Sequence, residues 1–296
     1  MATLKALRIR IGSVKSSEKI TGAMKMISSA KVHKNEQELK KLLPFRNQVK
    51  SIMTHLLATD VDFNSPLITE REVKRIGIVV FGSDDGLCGA YNINIFKHML
   101  VEIARLREQH GRNVELTVIP VGKKIANAVK KLHEPNLTVE MVEGIDSKMS
   151  GPTVNEFGHK LREKFLDGSY DLIEVVYVKY LTRSRQTPVA EQLFPVSREA
   201  IEAETAGVAE ANKFYIFEPD PNTIFNEVLP MFVLSTLQEI TIENRASEQA
   251  ARVMAMQSAN DNAQKLLESL QIEFNKLRQE GITTELLDIL GGQTEK

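Results

Sequence analysis

The C-terminal quarter of the chain carries a seven-residue repeat. Stepping four then three from Val228, the seam reads Val228, Phe232, Ser235, Glu239, Ile242, Ala246, Gln249, Val253, Met256, Asn260, Ala263, Leu267, Leu270, Phe274, Leu277. A heptad held over this span specifies a helix that supercoils against a partner helix. At 1.5 Å per residue such a helix reaches on the order of 100 Å, beyond the width of a small domain. That is the form of a shaft, not of a pocket. Its start is marked by Asp220, an N-cap residue, and Pro221, which suits the first helical position. Pro230 predicts a bend soon after, and the pattern then meets no breaker until Gly281 and the Gly291-Gly292 end.

A second helical pattern opens the chain. Apolar residues recur at Leu4, Leu7, Ile11, Val14, Ile20, Met24 and Ile27, then at Leu39, Leu42, Leu43, Val49, Ile52, Met53 and Leu56. Gly12 and Gly22 inside it each cost about 1 kcal/mol relative to Ala, tolerable where packing against a partner dominates. Pro44 predicts a kink or a break near Leu43. Residues 1–57 hold 12 Lys and Arg against 3 Asp and Glu, a net of +9, whereas residues 222–296 hold 6 against 11, a net of −5. A basic helix of this kind suits nucleic acid, an anionic membrane or an acidic protein. Nucleic acid is the weakest of these, because no aromatics interleave with the basic residues. The acidic C-terminal helix is a partner within the chain itself, so the two terminal helices are expected to pair as an antiparallel coiled coil.

Between them the pattern alternates. Strands are expected at Ile76–Phe81, Glu115–Val121, Thr138–Val142 and Leu172–Leu181, with edges at Val189–Val196 and Phe214–Phe217. Helices are expected at Asn92–Gln109, Lys123–Leu132 and Thr153–Leu166. Such alternation specifies layered α/β structure with a mainly parallel sheet. The expected fold is therefore mixed α+β and α/β: a long antiparallel coiled coil with an inserted Rossmann-like domain. Its parts are an N-terminal shaft helix at 1–57, a linker at 58–75, a globular domain at 76–218 and a C-terminal shaft helix at 219–296.

Catalytic and cofactor chemistry finds little support. Gly82-Ser83-Asp84-Asp85-Gly86-Leu87-Cys88-Gly89 lies between strand and helix, where phosphate loops sit. It lacks both the Lys-Ser/Thr ending and the G-x-G-x-x-G spacing, and its aspartates repel phosphate. A tight turn serving structure or a protein contact is expected. Cys88 has no basic neighbour to activate it and, being the single cysteine, excludes a disulfide framework. The six histidines are scattered, and Asp60, Asp62 and Asn64 do not make a calcium loop. No G-x-S-x-G elbow occurs. No catalytic residue, cofactor or metal is expected. With 42% hydrophobic residues and no apolar run long enough to span a bilayer, an ordinary soluble protein is expected, without signal or transit peptide.

Three motifs carry a resemblance. Ile20-Thr21-Gly22-Ala23-Met24-Lys25-Met26-Ile27-Ser28-Ser29-Ala30-Lys31 resembles the N-terminal signature of the gamma subunit family of rotary F-type ATP synthases. Ser83-Asp84-Asp85-Gly86-Leu87-Cys88-Gly89-Ala90-Tyr91-Asn92 resembles that family's central motif. Glu243-Asn244-Arg245-Ala246-Ser247-Glu248-Gln249-Ala250-Ala251-Arg252-Val253-Met254-Ala255-Met256 is the strongest match, continued by Phe274-Asn275-Lys276-Leu277-Arg278-Gln279 and Ile282-Thr283-Thr284-Glu285-Leu286.

The resemblance implies a rotor shaft threading a hexamer of alternating alpha and beta subunits, one copy to three and three. The globular insert would form a foot against the epsilon subunit and the c-ring. Location would be peripheral, at the cytoplasmic face of a bacterial inner membrane, with proton or sodium flow turning the ring. By position match, Met24, Lys25, Arg252, Arg278, Gln279 and Thr283 are implied contacts to beta subunits; without the match they read as a solvated helix face. Leu286, Leu287, Ile289 and Leu290 would form an apical bearing, or simply end the seam. Tyr215, Phe217 and Glu218 would face the c-ring or epsilon, or form a plain edge strand. Departures are Gly22 for a common Lys, Ser258 for Thr, Phe274 for Tyr and Gly281 for Ser or Ala. Gly281 implies raised mobility near the tip, and the single cysteine implies no redox control of the chloroplast kind. Two other classes remain from the residues alone. One is a nucleotide-binding enzyme with helical arms, which would bind ATP. The other is a coiled-coil scaffold, which would form stable homodimers.

Overall fold

The computed structural model describes residues 3–59, 61–197, 201 and 216–293. In chain order its elements are α1 (Leu4–Leu57), β1 (Arg75–Phe81), α2 (Tyr91–His110), β2 (Glu115–Val121), α3 (Lys123–Val129), β3 (Leu137–Val139), α4 (Gly151–Leu166), β4 (Leu172–Tyr180), β5 (Gln186–Phe194) and α5 (Pro221–Gln293). The chain divides into two compact units, one formed by Met1–Ser29 with Arg252–Lys296, the other by Ala30–Ala251.

The larger unit is built on one sheet of order β3-β2-β1-β4-β5. The first four strands are parallel and β5 returns antiparallel beside β4. Alternate residues of the buried strands face opposite sides, and each side has its own core. Ile76, Ile78 and Val80 of β1 pack with Ile95, Met99 and Leu106 of α2 and with Ile125 and Val129 of α3. Val79 and Phe81 pack on the other side, with Phe157, Leu161 and Phe165 of α4, Met53 and Leu56 of α1, and Phe225, Leu229 and Leu237 of α5. Two glycines let the layers close. A Cβ at Gly82 would stand 2.6 Å from the Ile125 Cβ, and Gly122 takes a φ of +111° against the Ser83 backbone.

Several boundaries differ from the sequence pattern for local reasons. Pro44 does not break α1, which runs unbroken from Leu4 to Leu57. α3 stops at Val129 because Lys131 and Leu132 donate to carbonyls three residues back, tightening the last turn. β3 ends at Val139, where the chain turns and the Glu140 carboxylate accepts from the Tyr170 hydroxyl at 2.6 Å. β5 begins three residues early, paired through Tyr180↔Gln186, and ends before Pro195. Ile216 and Phe217 are not in a strand, so the expected edge at Phe214–Phe217 is absent there; Phe214 and Tyr215 lie outside the described residues. Asp220 caps α5 as expected, accepting from the Thr223 N–H at 2.9 Å. Gly281 does not end that helix.

The seam expected along α5 is covered throughout, but it is a narrow stripe in one half only. Over residues 252–281 the covered positions follow it: Val253, Met256, Asn260, Ala263, Leu267, Leu270, Phe274 and Leu277 are buried or half-buried. Over residues 221–251 burial wraps round the helix. Leu229, Val233, Leu237 and Ile240, none of them in the heptad, are buried, while Val228 and Ile242 are half-buried. The cause is that this stretch is packed by a sheet and by α4 as well as by a helix, and a broad contact covers more than a narrow stripe.

Candidate partner surface of the terminal helices

In the smaller unit, α1 and α5 pair antiparallel. Positions rise on one helix as they fall on the other: Lys25 Nζ donates to Gln257 Oε1 at 2.6 Å, Asn260 Nδ2 to the Glu18 carbonyl at 2.8 Å, and the Arg8 guanidinium lies 5.9 Å from the centre of the Phe274 ring. The α1 side of this interface steps Leu7, Ile11, Val14, Glu18, Thr21, Lys25, Ser28, all buried or half-buried. It is a heptad whose middle is polar. Ile20 and Ile27, which apolar periodicity assigns to the interface, lie outside it at 60% and 57% exposure. Ile9 and Met26 are exposed as well. Composition misled here because interface positions are set by helix geometry, and polar residues occupy them when they find partners across the seam.

The implied contact residues do not form one kind of site. Met24 and Lys25 are half-buried on α1, and Arg252 is buried at 5% exposure. Arg278, Gln279 and Thr283 are exposed on α5, with the Thr283 hydroxyl donating to the Gln279 carbonyl at 2.9 Å. Leu286, Leu287 and Ile289 are 55–62% exposed; the side chain of Leu290 is outside the described residues. Phe217 is half-buried and packs against the larger unit's core, and Glu218 is exposed.

The loop after β1 is closed by its own aspartate. One Asp84 oxygen accepts from the Lys123 N–H at 3.0 Å, the N-terminus of α3, and the other from the Ser147 hydroxyl at 2.8 Å. Asp84 thus takes a helix-end donor that a phosphate would need. Asp85 pairs with Lys148 at 3.0 Å. Cys88 is buried and lies 3.4 Å from Asn92 Nδ2. Among the described residues no group of three or more His, Cys, Asp and Glu side chains is placed to hold a metal, and no helix is long and apolar enough to cross a membrane.

A family model described as ATP synthase matches residues 3–294. The ATP synthase gamma chain of Bacteroides thetaiotaomicron is 38% identical over 304 aligned positions, covering all of both chains. The chain belongs to the ATP synthase gamma chain family. The gamma chain of Histophilus somni is 34% identical, covering 99% of each. Among solved structures, the chain is similar to one in the Euglena gracilis mitochondrial ATP synthase (OSCP/F1/c-ring, rotational state 3). That match has a TM-score of 0.63 and 22% identity, with 98% of this chain and 93% of that one covered. A chain of the Tetrahymena thermophila mitochondrial ATP synthase central stalk and c-ring gives a TM-score of 0.54 at 20% identity, covering 81% and 99%. At these identities the structures establish a shared fold, and the gamma chain relatives establish the family.

The sequence motifs located the family but not the side chains that tie α5 to the sheet. Asn244 of α5 is 1% exposed and hydrogen-bonds to Gly82, just past β1, and to Val178 of β4. In the sequence it is one polar residue among several, flanked by Glu243 and Arg245 with Ser247, Glu248 and Gln249 close by, and nothing there marks it as the interior amide.

Proposed function

We propose that this chain is the rotating shaft of an ATP synthase, coupling ion flow through a membrane ring of c subunits to ATP synthesis or hydrolysis in a hexamer of alpha and beta subunits. Catalysis would belong to that hexamer, and this chain would transmit mechanical work. Residues 1–57 and 219–296 would serve as the shaft, joined through the linker 58–75 to a Rossmann-like foot at 76–218. The carrying observation is the family match over residues 3–294, with two long helices paired antiparallel in the smaller unit. That pair supports the reading physically. Its outer face carries isolated apolar side chains, Ile9, Ile20, Met26 and Ile27, among cations, which suits contacts made and broken in turn.

In this reading Arg278, Gln279 and Thr283 offer exposed hydrogen-bonding groups to the beta subunits; Met24 and Lys25, half-buried, would contribute their outer edges, and the buried Arg252 would act through the side chains that cover it. Leu286, Leu287, Ile289 and Leu290 would turn as an apolar bearing. Tyr215, Phe217 and Glu218 would lie toward the c-ring or epsilon subunit, at the cytoplasmic face of the inner membrane. The test is ATP hydrolysis by purified cognate alpha and beta subunits with and without the full chain, with stoichiometry read by native mass spectrometry. A three-to-three-to-one complex whose sustained hydrolysis requires the chain is expected. Stable homodimers that ignore alpha and beta, or ATP turnover by this chain alone, would overturn the proposal.

A further inference from the structure

β1 and β4 part at the carboxyl end of the sheet. Their parallel ladder runs from Ile76↔Leu172 to Val80↔Val176, so Gly82 and Val178 lie just beyond its last pair. Strand order reverses here, because the chain winds outward from β1 to β3 and then crosses back to β4. In open α/β sheets this reversal point is where ligands enter. Here a side chain of α5 stands in the gap.

The Asn244 carboxamide nitrogen donates to the Gly82 carbonyl at 3.2 Å, and its oxygen accepts from the Val178 N–H at 3.3 Å. The same oxygen accepts from the Tyr91 hydroxyl at 2.7 Å. Ser247, about one turn along α5, donates to the Val178 carbonyl at 2.9 Å. Both backbone groups of Val178 are therefore held by α5, and none is left for its neighbour on β5, Pro188, with which it makes a non-hydrogen-bonded pair. A primary amide presents one donor edge and one acceptor, the same pair a peptide unit presents. An Asp or a Leu at this position could not satisfy both strands.

We propose that Asn244 is a side-chain rung grafted into the β1–β4 ladder, and that it positions α5 against the sheet so that twist passes between them. The second half rests on the rotor reading. The physical reason is directional. The apolar face of α5, including Phe225, Leu229 and Leu237, is held by contacts that resist separation but not small rotation. A buried hydrogen-bonded pair is lost within a few tenths of an ångström and a few tens of degrees.

The first experiment is amide hydrogen exchange on the full chain. Asn244→Leu keeps the bulk and removes every bond; Asn244→Asp keeps the acceptor; Tyr91→Phe removes one donor to that acceptor. The Val178 amide is expected to exchange about tenfold faster in the Leu variant and near the wild-type rate in the Asp variant and in Tyr91→Phe, both of which keep its acceptor, with Val79 and Ile119 still protected. Should the Leu variant lose protection throughout, the Asp variant decides. A Val178 amide exchanging as fast there as in the Leu variant overturns the rung.

The second experiment follows a probe on the sheet domain within assembled alpha–beta complexes. Asn244→Leu is expected to broaden its angular fluctuation about twofold at an unchanged hydrolysis rate, and Asn244→Asp to recover part of the difference. Unchanged fluctuation with a deprotected Val178 amide overturns the twist-bearing role while sustaining the rung. Failure of the wild-type chain to assemble counts against the rotor reading, not against the rung.

Discussion

Glu243 shows how a single side chain can tune this fold. It sits on α5 among Arg46 of α1, Lys179 and Tyr177 of β4 and Glu191 of β5, with Glu239 one turn back on α5 beside Arg46. Burial raises its carboxyl from 4.5 to about 7, with Glu191 adding to the rise and Lys179 and Arg46 opposing it. A raised carboxyl binds its proton more tightly in the folded state, so its stabilising effect is full below the unfolded value and is lost as pH rises toward 7. Glu243→Gln is expected to raise the melting temperature at pH 8 by roughly 2–4 °C, corresponding to about 1 kcal/mol, and to flatten the stability profile between pH 5 and 8. Calorimetry across that range is the check; a variant less stable than wild type at pH 8 would contradict it. Glu174 behaves differently. Burial pushes it up, but the Arg105 guanidinium pulls it back, bridging Glu174 to Glu102. Arg105→Ala strands a carboxyl that is 5% exposed and is expected to cost about 2 kcal/mol, read as a lowered denaturant midpoint. Neither role is legible in the sequence, where both glutamates look like ordinary surface charges.

The terminal helices were legible as helices because their periodicity is long and nearly free of breakers. Which face is covered was legible only where apolar residues fill the heptad, as in Leu267, Leu270 and Phe274. On α1 the middle of the seam is Glu18, Thr21, Lys25 and Ser28, the first three bonded across to Gln257 and Asn260, and no hydropathy pattern marks it. Such a polar stretch gives up stability and fixes register, as a polar residue does at a core position of a coiled coil. Replacing Lys25 and Gln257 together by Leu is expected to stabilise the helix pair by about 1 kcal/mol while loosening its register, detectable as a raised melting temperature with altered cross-linking between the helices. Gly281 is a simpler case. It lies within α5, and a Cβ there meets nothing within 4 Å. Gly281→Ala is expected to add about 1 kcal/mol of helix stability and to slow amide exchange around it. Exchange already as slow in the wild type as at Leu270 would contradict the loosening expected of this glycine.

At the scale of the whole chain, Cys88 is 3% exposed and is the single cysteine of the sequence. Activity of the assembled complex is therefore expected to be the same with and without dithiothreitol, a direct assay. The sequence by itself determined the family, two long helices of opposite charge, and a strand–helix alternation that could only become a layered sheet. Those follow from local periodicity and from motifs that act over a few turns. The tertiary structure decided the rest. It placed half of α5 in the core of an α/β unit, where a sheet and several helices cover it on many sides, and left the other half with a narrow seam. It turned Ile20 and Ile27 outward and put Asn244 between two strands. Burial and hydrogen bonding depend on residues distant in sequence, joined by loops whose length does not reveal what they bring together. A polar side chain becomes structural only when its partners arrive.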